Sequence, residues 1–228
     1  MRNRFFAVLV VGLLSIVIAE NACAQSWSLP IRAGWSNASI TGSNQMGSES
    51  VNGFVGSLGA ELRFNKDFGI EFDIAYAQKG AKGTITNEVA NSPSNPPQQN
   101  IFTFEGETSL DYVEFWAVLV GHLEVAKKAE LKGYAGVALA NLVSAEASGT
   151  ANGTPVSFDL KDTLNSVDFT GIIGAGFAYD VGSVVLTIDF ITDLGLTSIN
   201  ESVVADDFKT RAYYTMLGVV IPLSDELW

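Results

Sequence analysis

Eleven charged residues in this 228-residue chain sit where an ordinary strand face would be closed to them: Arg32, Glu61, Arg63, Glu71, Asp73, Lys79, Glu114, Lys132, Asp168, Asp189 and Asp193. Each lies in a stretch whose alternate positions are apolar, so each falls on the face opposite the apolar one. Four bases and seven acids on one enclosed face must pair and be hydrogen-bonded, because an isolated buried charge carries a heavy desolvation penalty. Two chemistries follow. The set is either a salt-bridged filling that fixes the shape of the molecule, or the lining of a narrow path that favours cations. The surplus of acid leaves room for a bound cation or a retained proton on a carboxyl. The filling is the stronger reading, and the network is expected to be structural.

Other constellations carry less. His122 is the sole histidine, so any hydrolase built on a histidine base must use it, with a serine and a carboxylate or amide within reach. The strand pattern puts it near a short turn, as a rim or interior residue. No cluster of His and Cys exists for a transition metal. Gly171, Gly174 and Gly176 have the look of a nucleotide loop. That fingerprint needs a helix after the glycines, whereas these lie inside a strand with Ile173 and Phe177 on its apolar face. Asp159, Asp162, Asp206 and Asp207 lack the spacing of a calcium loop. No catalytic, cofactor-binding or metal-binding residue is assigned, and no cofactor is expected.

The elements that hold these residues are strands. Eight stretches alternate between Trp27 and Leu223. The links after the second, fourth and sixth are tight: Asn65-Lys66-Asp67, residues 125–129, and Asp180-Val181-Gly182. The other links are longer and polar, the longest spanning residues 81–107. Tight turns at one end and long loops at the other are the signature of a transmembrane β-barrel. The first three stretches have about 9 to 11 residues, the length that crosses hydrocarbon at a tilt. Trp27, Trp35, Phe54, Phe64, Phe68 and Tyr76 cluster near strand ends, as interfacial girdles do. The expected fold is therefore all-β: an eight-stranded antiparallel up-and-down transmembrane barrel. A soluble barrel would turn the apolar face inward, and the girdles and inward charges argue against it. On the fifth stretch the same parity puts Lys132, Gly136, Ala138, Ser144 and Glu146 inside. On the eighth it puts Lys209 and Arg211 outside, so either they snorkel at the rim or a bulge shifts the register. Residues 91–99, rich in Asn, Pro and Gln, cannot bury enough apolar area to order themselves.

Ahead of the strands, Arg2 and Arg4 precede an apolar core and Ala22-Cys23-Ala24 offers a small-x-small cleavage site. Residues 1–24 are thus expected to be a cleaved signal peptide, and residues 25–228 the barrel domain. Glu20 stands where a lipoprotein signal wants an aliphatic residue, so Cys23 leaves with the signal and no disulfide forms. Losing two bases and one acid moves the formal net charge from −12 to −13. Such acidity, without a basic patch, excludes nucleic acid as a partner. Mean hydropathy is +0.24, yet no apolar run approaches the ~18 residues of a spanning helix. A barrel whose apolar face meets lipid accounts for both.

Several segments together resemble the PorT-like outer-membrane β-barrel family, the outer membrane protein beta-barrel domain often labelled porin family. They are Ile31-Arg32-Ala33-Gly34-Trp35-Ser36, Glu71 on through Lys79-Gly80-Ala81-Lys82, Leu110-Asp111-Tyr112-Val113-Glu114, Gly171-Ile172-Ile173-Gly174-Ala175-Gly176 and Gly195-Leu196-Thr197-Ser198-Ile199. The resemblance spans nearly the whole mature chain. It implies an OmpA/OmpX-like barrel in the outer membrane of a Gram-negative envelope, without one fixed function. Family barrels usually end on an aromatic in the last strand; here the pattern stops at Leu223 and Trp228 lies beyond it. The expected partners are outer-membrane lipid and lipopolysaccharide, with an extracellular ligand or an envelope protein at the loops. The expected role is non-enzymatic, structural or loop-mediated binding. The alternative is a narrow pore or a secretion-associated outer-membrane component.

Overall fold

Period-two patterning becomes a closed wall in the computed structural model, which describes residues 26–42, 49–90, 99–199 and 208–223. Residues 1–24, expected to be a signal peptide, residues 91–98, Asp206, Asp207 and Trp228 lie outside the described residues. The strands are β1 (Ser26–Thr41), β2 (Glu49–Arg63), β3 (Phe68–Ala90), β4 (Gln99–Ala126), β5 (Ala129–Ala151), β6 (Thr154–Asp159), β7 (Val167–Asp180), β8 (Val185–Gly195) and β9 (Lys209–Pro222). All but β6 form an antiparallel ring, in which β1 pairs with β9 and β4 with β5. Closure removes the sheet edges that an open strand would present. Among the described residues no helix is long and apolar enough to cross a membrane.

Turn chemistry fixes one end. Asn65 accepts hydrogen bonds from the Asp67 and Phe68 amides at 2.8 and 2.9 Å, an Asx turn that reverses the chain. Lys127 and Lys128 link Ala126 to Ala129. Gly182, at φ +109, supplies the left-handed step after Asp180. These are the three tight links expected from the sequence.

The wall is apolar outside and polar inside. Trp35, Leu58, Phe72, Ile74, Phe115, Ile173, Phe190 and Leu217 are exposed, Trp35 by 67% and Leu58 by 57%. All eleven inward charges are buried, as is His122. Glycines let the wall curl tightly. A Cβ on Gly34 would run into the Thr215 carbonyl of β9, and one on Gly176 into the Asp189 carboxylate. Gly34→Ala is therefore expected to cost about 1–3 kcal/mol through backbone displacement, read as a lower urea midpoint in lipid vesicles. An unchanged midpoint would mean that the β1–β9 seam is looser than drawn.

The structure corrects three expectations. The long link is not a loop from residue 81: β3 and β4 stay paired from Lys82↔Glu107 to Ala90↔Gln99. Backbone pairing there continues without the apolar alternation that marks the wall strands. Second, Ser144 and Glu146 are exposed, not inside. The register shifts between Asp111 and Tyr112, and this bulge inverts the parity of β5 beyond Leu142, bringing Ala145 and Ala147 inward instead. Third, β6 was not anticipated. It pairs with β5 across an Asn152-Gly153 turn, with both residues at positive φ, the favoured two-residue hairpin. At the long-loop end β3, β4, β5 and β6 thus stand as a four-stranded sheet above the ring. For β9 the dilemma resolves without a bulge: its ladder with β1 is unbroken from Pro222 to Lys209, so Arg211 and Lys209 do face outward.

Candidate functional site

Alternation along β1, β2 and β3 projects Arg32, Glu61, Arg63, Glu71, Asp73 and Lys79 into the lumen. They assemble with residues from β4, β5, β7 and β8 into stacked clusters along the axis. At the short-turn end, Arg63 Nη2 lies 2.9 Å from Glu130 Oε1 and donates to the Lys66 carbonyl at 2.8 Å. His122 sits between two carboxylates: Nδ1 is 3.2 Å from Glu130 and Nε2 is 2.7 Å from Glu61. Lys132 Nζ donates to the other Glu61 oxygen at 3.0 Å.

The middle cluster is built on Arg32. Its two terminal nitrogens donate to both oxygens of Glu71, at 2.6 and 2.9 Å, the bidentate fork that guanidinium geometry favours. Nη1 also reaches Asp73 at 3.2 Å and Nε reaches Asp189 at 3.1 Å. Tyr134 and Thr187 donate their hydroxyls to Asp189 at 2.7 and 2.9 Å, and the guanidinium lies 5.6 Å from the Tyr134 ring centre. Above it, Lys79 Nζ lies 2.8 Å from Glu114 and 2.9 Å from Asp193. The Trp116 indole donates to Glu114 at 2.7 Å, while its ring stacks on Tyr214 with centroids 5.9 Å apart. Asp168 stands apart from the ion pairs and accepts hydroxyls from Thr197 and Thr210 at 2.5 and 3.1 Å.

Toward the long loops the lumen turns apolar. Leu110, Tyr112, Ala140, Leu142, Ala145 and Ile199 pack together, with Ile40, Leu160, Leu164 and Phe208 against them. Leu160 and Leu164 flank a short 3-10 turn, Lys161–Thr163. Chain from the β6–β7 and β8–β9 connections thus lies over the charged clusters.

Tyr112, Tyr134, Tyr214 and Glu130 belong to this interior and were not singled out in the sequence. The signal was there, since Tyr134 and Glu130 share the parity of Lys132. Gly171, Gly174 and Gly176 lie within β7. Among the described residues no group of His, Cys, Asp and Glu is arranged to hold a metal ion.

A closed antiparallel ring with an apolar exterior, aromatic rims and an ion-paired interior defines a membrane β-barrel of the outer-membrane type. The chain belongs to the outer membrane protein beta-barrel domain family, whose model matches residues 23–201. That membership places it in the outer membrane. No curated protein matches it. Among solved structures it is similar to the outer membrane protease OmpT from Escherichia coli, at 11% identity and TM-score 0.50, over 87% of this chain and 97% of that one. It is also similar to Ail of Yersinia pestis in complex with the heparin analogue sucrose octasulfate, at 15% identity and TM-score 0.41, covering 86% and 99%. Neisserial surface protein A matches at 15% identity and TM-score 0.44, covering 87% and 99%. At such identities the likeness is one of fold.

Proposed function

We propose that this chain is a closed, non-enzymatic outer-membrane barrel, exported by its cleaved signal peptide, whose work beyond occupying the membrane is done at the long-loop end by binding outside the cell. The short turns and both strand termini then face the periplasm. The observation that carries this reading is the ion-paired lumen, in which Arg32, Lys79 and Lys132 each hold carboxylates within 3.2 Å beneath an apolar layer. An eight-stranded barrel has room for its own side chains and little else. The same geometry argues against hydrolysis. Both ring nitrogens of His122 face carboxylates inside the wall, which leaves neither placed to take a proton from a nucleophile. The β3–β6 sheet above the ring supplies the surface for an extracellular ligand or envelope partner.

A second reading, a narrow pore or a secretion-associated component of the PorT-like kind, draws on the surplus of lumenal carboxylates. Planar bilayers separate the two. The purified barrel is expected to give no unitary current, whereas steady, cation-selective steps abolished by Glu114→Gln would replace the closed reading with the pore.

A further inference from the structure

Cations are scarce on this molecule and mostly committed. Arg32, Arg63, Lys79 and Lys132 are inside, Lys66, Lys127 and Lys128 lie at the short turns, Lys161 lies in the short turn between β6 and β7, and Lys82 pairs with Glu107 at 3.1 Å. Arg211 is different. It is exposed on the outer wall of β9, and among the described residues no ion pair involves it. The unbroken β1–β9 ladder excludes the bulge that would have turned it inward. Lys209 stands two residues along the same strand and face, roughly 7 Å away.

Its surroundings are those of a lipid surface. Arg211 stands two residues from the half-exposed Tyr213 on the same outward face of β9. Its cross-strand partners are Ser39 on β1 and Leu194 on β8. From Leu194 the outward face of β8 runs down through Thr192, Phe190 and Ile188, of which Phe190 is 55% exposed. A cation at the top of a largely apolar track, beside an outward tyrosine, matches a molecule with a phosphate head and acyl chains below it. A soluble polyanion would have no use for the track.

We propose that Arg211, with Lys209 beside it, forms a binding site on the outer wall for the phosphate of an outer-leaflet glycolipid whose acyl chains lie along β8. This rests on the long-loop end facing outward in the outer membrane. Labelling of the loops on intact cells with an impermeant reagent tests that orientation separately.

The test compares the full-length barrel in neutral detergent with bisphosphorylated lipid A and with its dephosphorylated form, bound lipid being counted by native mass spectrometry. Arg211→Gln is expected to weaken lipid A binding about tenfold, the scale of one lost charge-assisted contact, while Arg211→Lys keeps most of it. Dephosphorylated lipid A should bind wild type and Arg211→Gln alike, and as weakly as lipid A binds the variant. Heat-modifiable gel mobility establishes that each variant is folded. Equal affinity of wild type and Arg211→Gln for lipid A would overturn the site. Displacement by inorganic phosphate alone, without a lipid competitor, would overturn the lipid assignment.

Discussion

Arg32→Met is expected to lower the unfolding free energy of the barrel in lipid vesicles by about 3–5 kcal/mol, the cost of removing one partner from a buried ionic cluster. The loss does not come from the missing attraction alone. Glu71, Asp73 and Asp189 all lie within 3.2 Å of the guanidinium, and without it three carboxyls share a water-poor space. They must repel one another or take up protons, and either course stabilises the unfolded chain relative to the fold. A rescue separates this cause from lost packing. Arg32→Met combined with Glu71→Gln and Asp189→Asn removes the repulsion while keeping the volumes, and is expected to recover a large part of the stability. Urea titration followed by tryptophan fluorescence and by heat-modifiable mobility reads both. A loss below ~1 kcal/mol is what a water-exposed pair gives. That outcome would mean a hydrated lumen and would favour the conducting alternative.

Which residues share the interior follows from parity, because a strand with one lipid face and one enclosed face exposes its pattern directly. Which of them touch does not. Arg32 meets Asp189 across 157 positions of sequence, and only the order of strands around the ring decides that. Parity also fails wherever the backbone slips. Ser144 and Glu146 were expected inside because no residue near Asp111 or Tyr112 announces a bulge; the irregularity is a property of the paired strands and not of either sequence alone. The tyrosines illustrate a different limit. Tyr134 and Tyr214 lie inward by parity, yet an aromatic near a strand end reads equally well as a girdle residue. The paired continuation of β3 and β4 beyond residue 82 was illegible for a physical reason: the ladder is made by backbone groups, which leave no apolar alternation in the sequence to mark it. Arg211 shows the reverse case, in which an awkward parity was correct and marked a surface.

Leu58→Arg is expected to cost about 2–4 kcal/mol in a bilayer, the range for a cation on the lipid face near the midplane. Leu58 is 57% exposed, its cross-strand neighbours are Ile31 and Ile74, and it lies midway along the apolar face of β2 between Phe54 and Phe64. For a barrel surrounded by water the same substitution at so exposed a position would be nearly neutral, since surface changes away from special features stay within about 0.5 kcal/mol. The solvent therefore sets the magnitude, and the effect should depend on it. Folding into short-chain phosphatidylcholine vesicles, with thinner hydrocarbon, should reduce the penalty, because the guanidinium snorkels a shorter distance to water. Detergent micelles should reduce it further. An arginine at residue 58 that leaves vesicle stability untouched would mean that hydrocarbon does not surround this wall. The exposed Phe72, Ile74 and Phe190 would then need another cover, and the outward cation at Arg211 would lose its lipid.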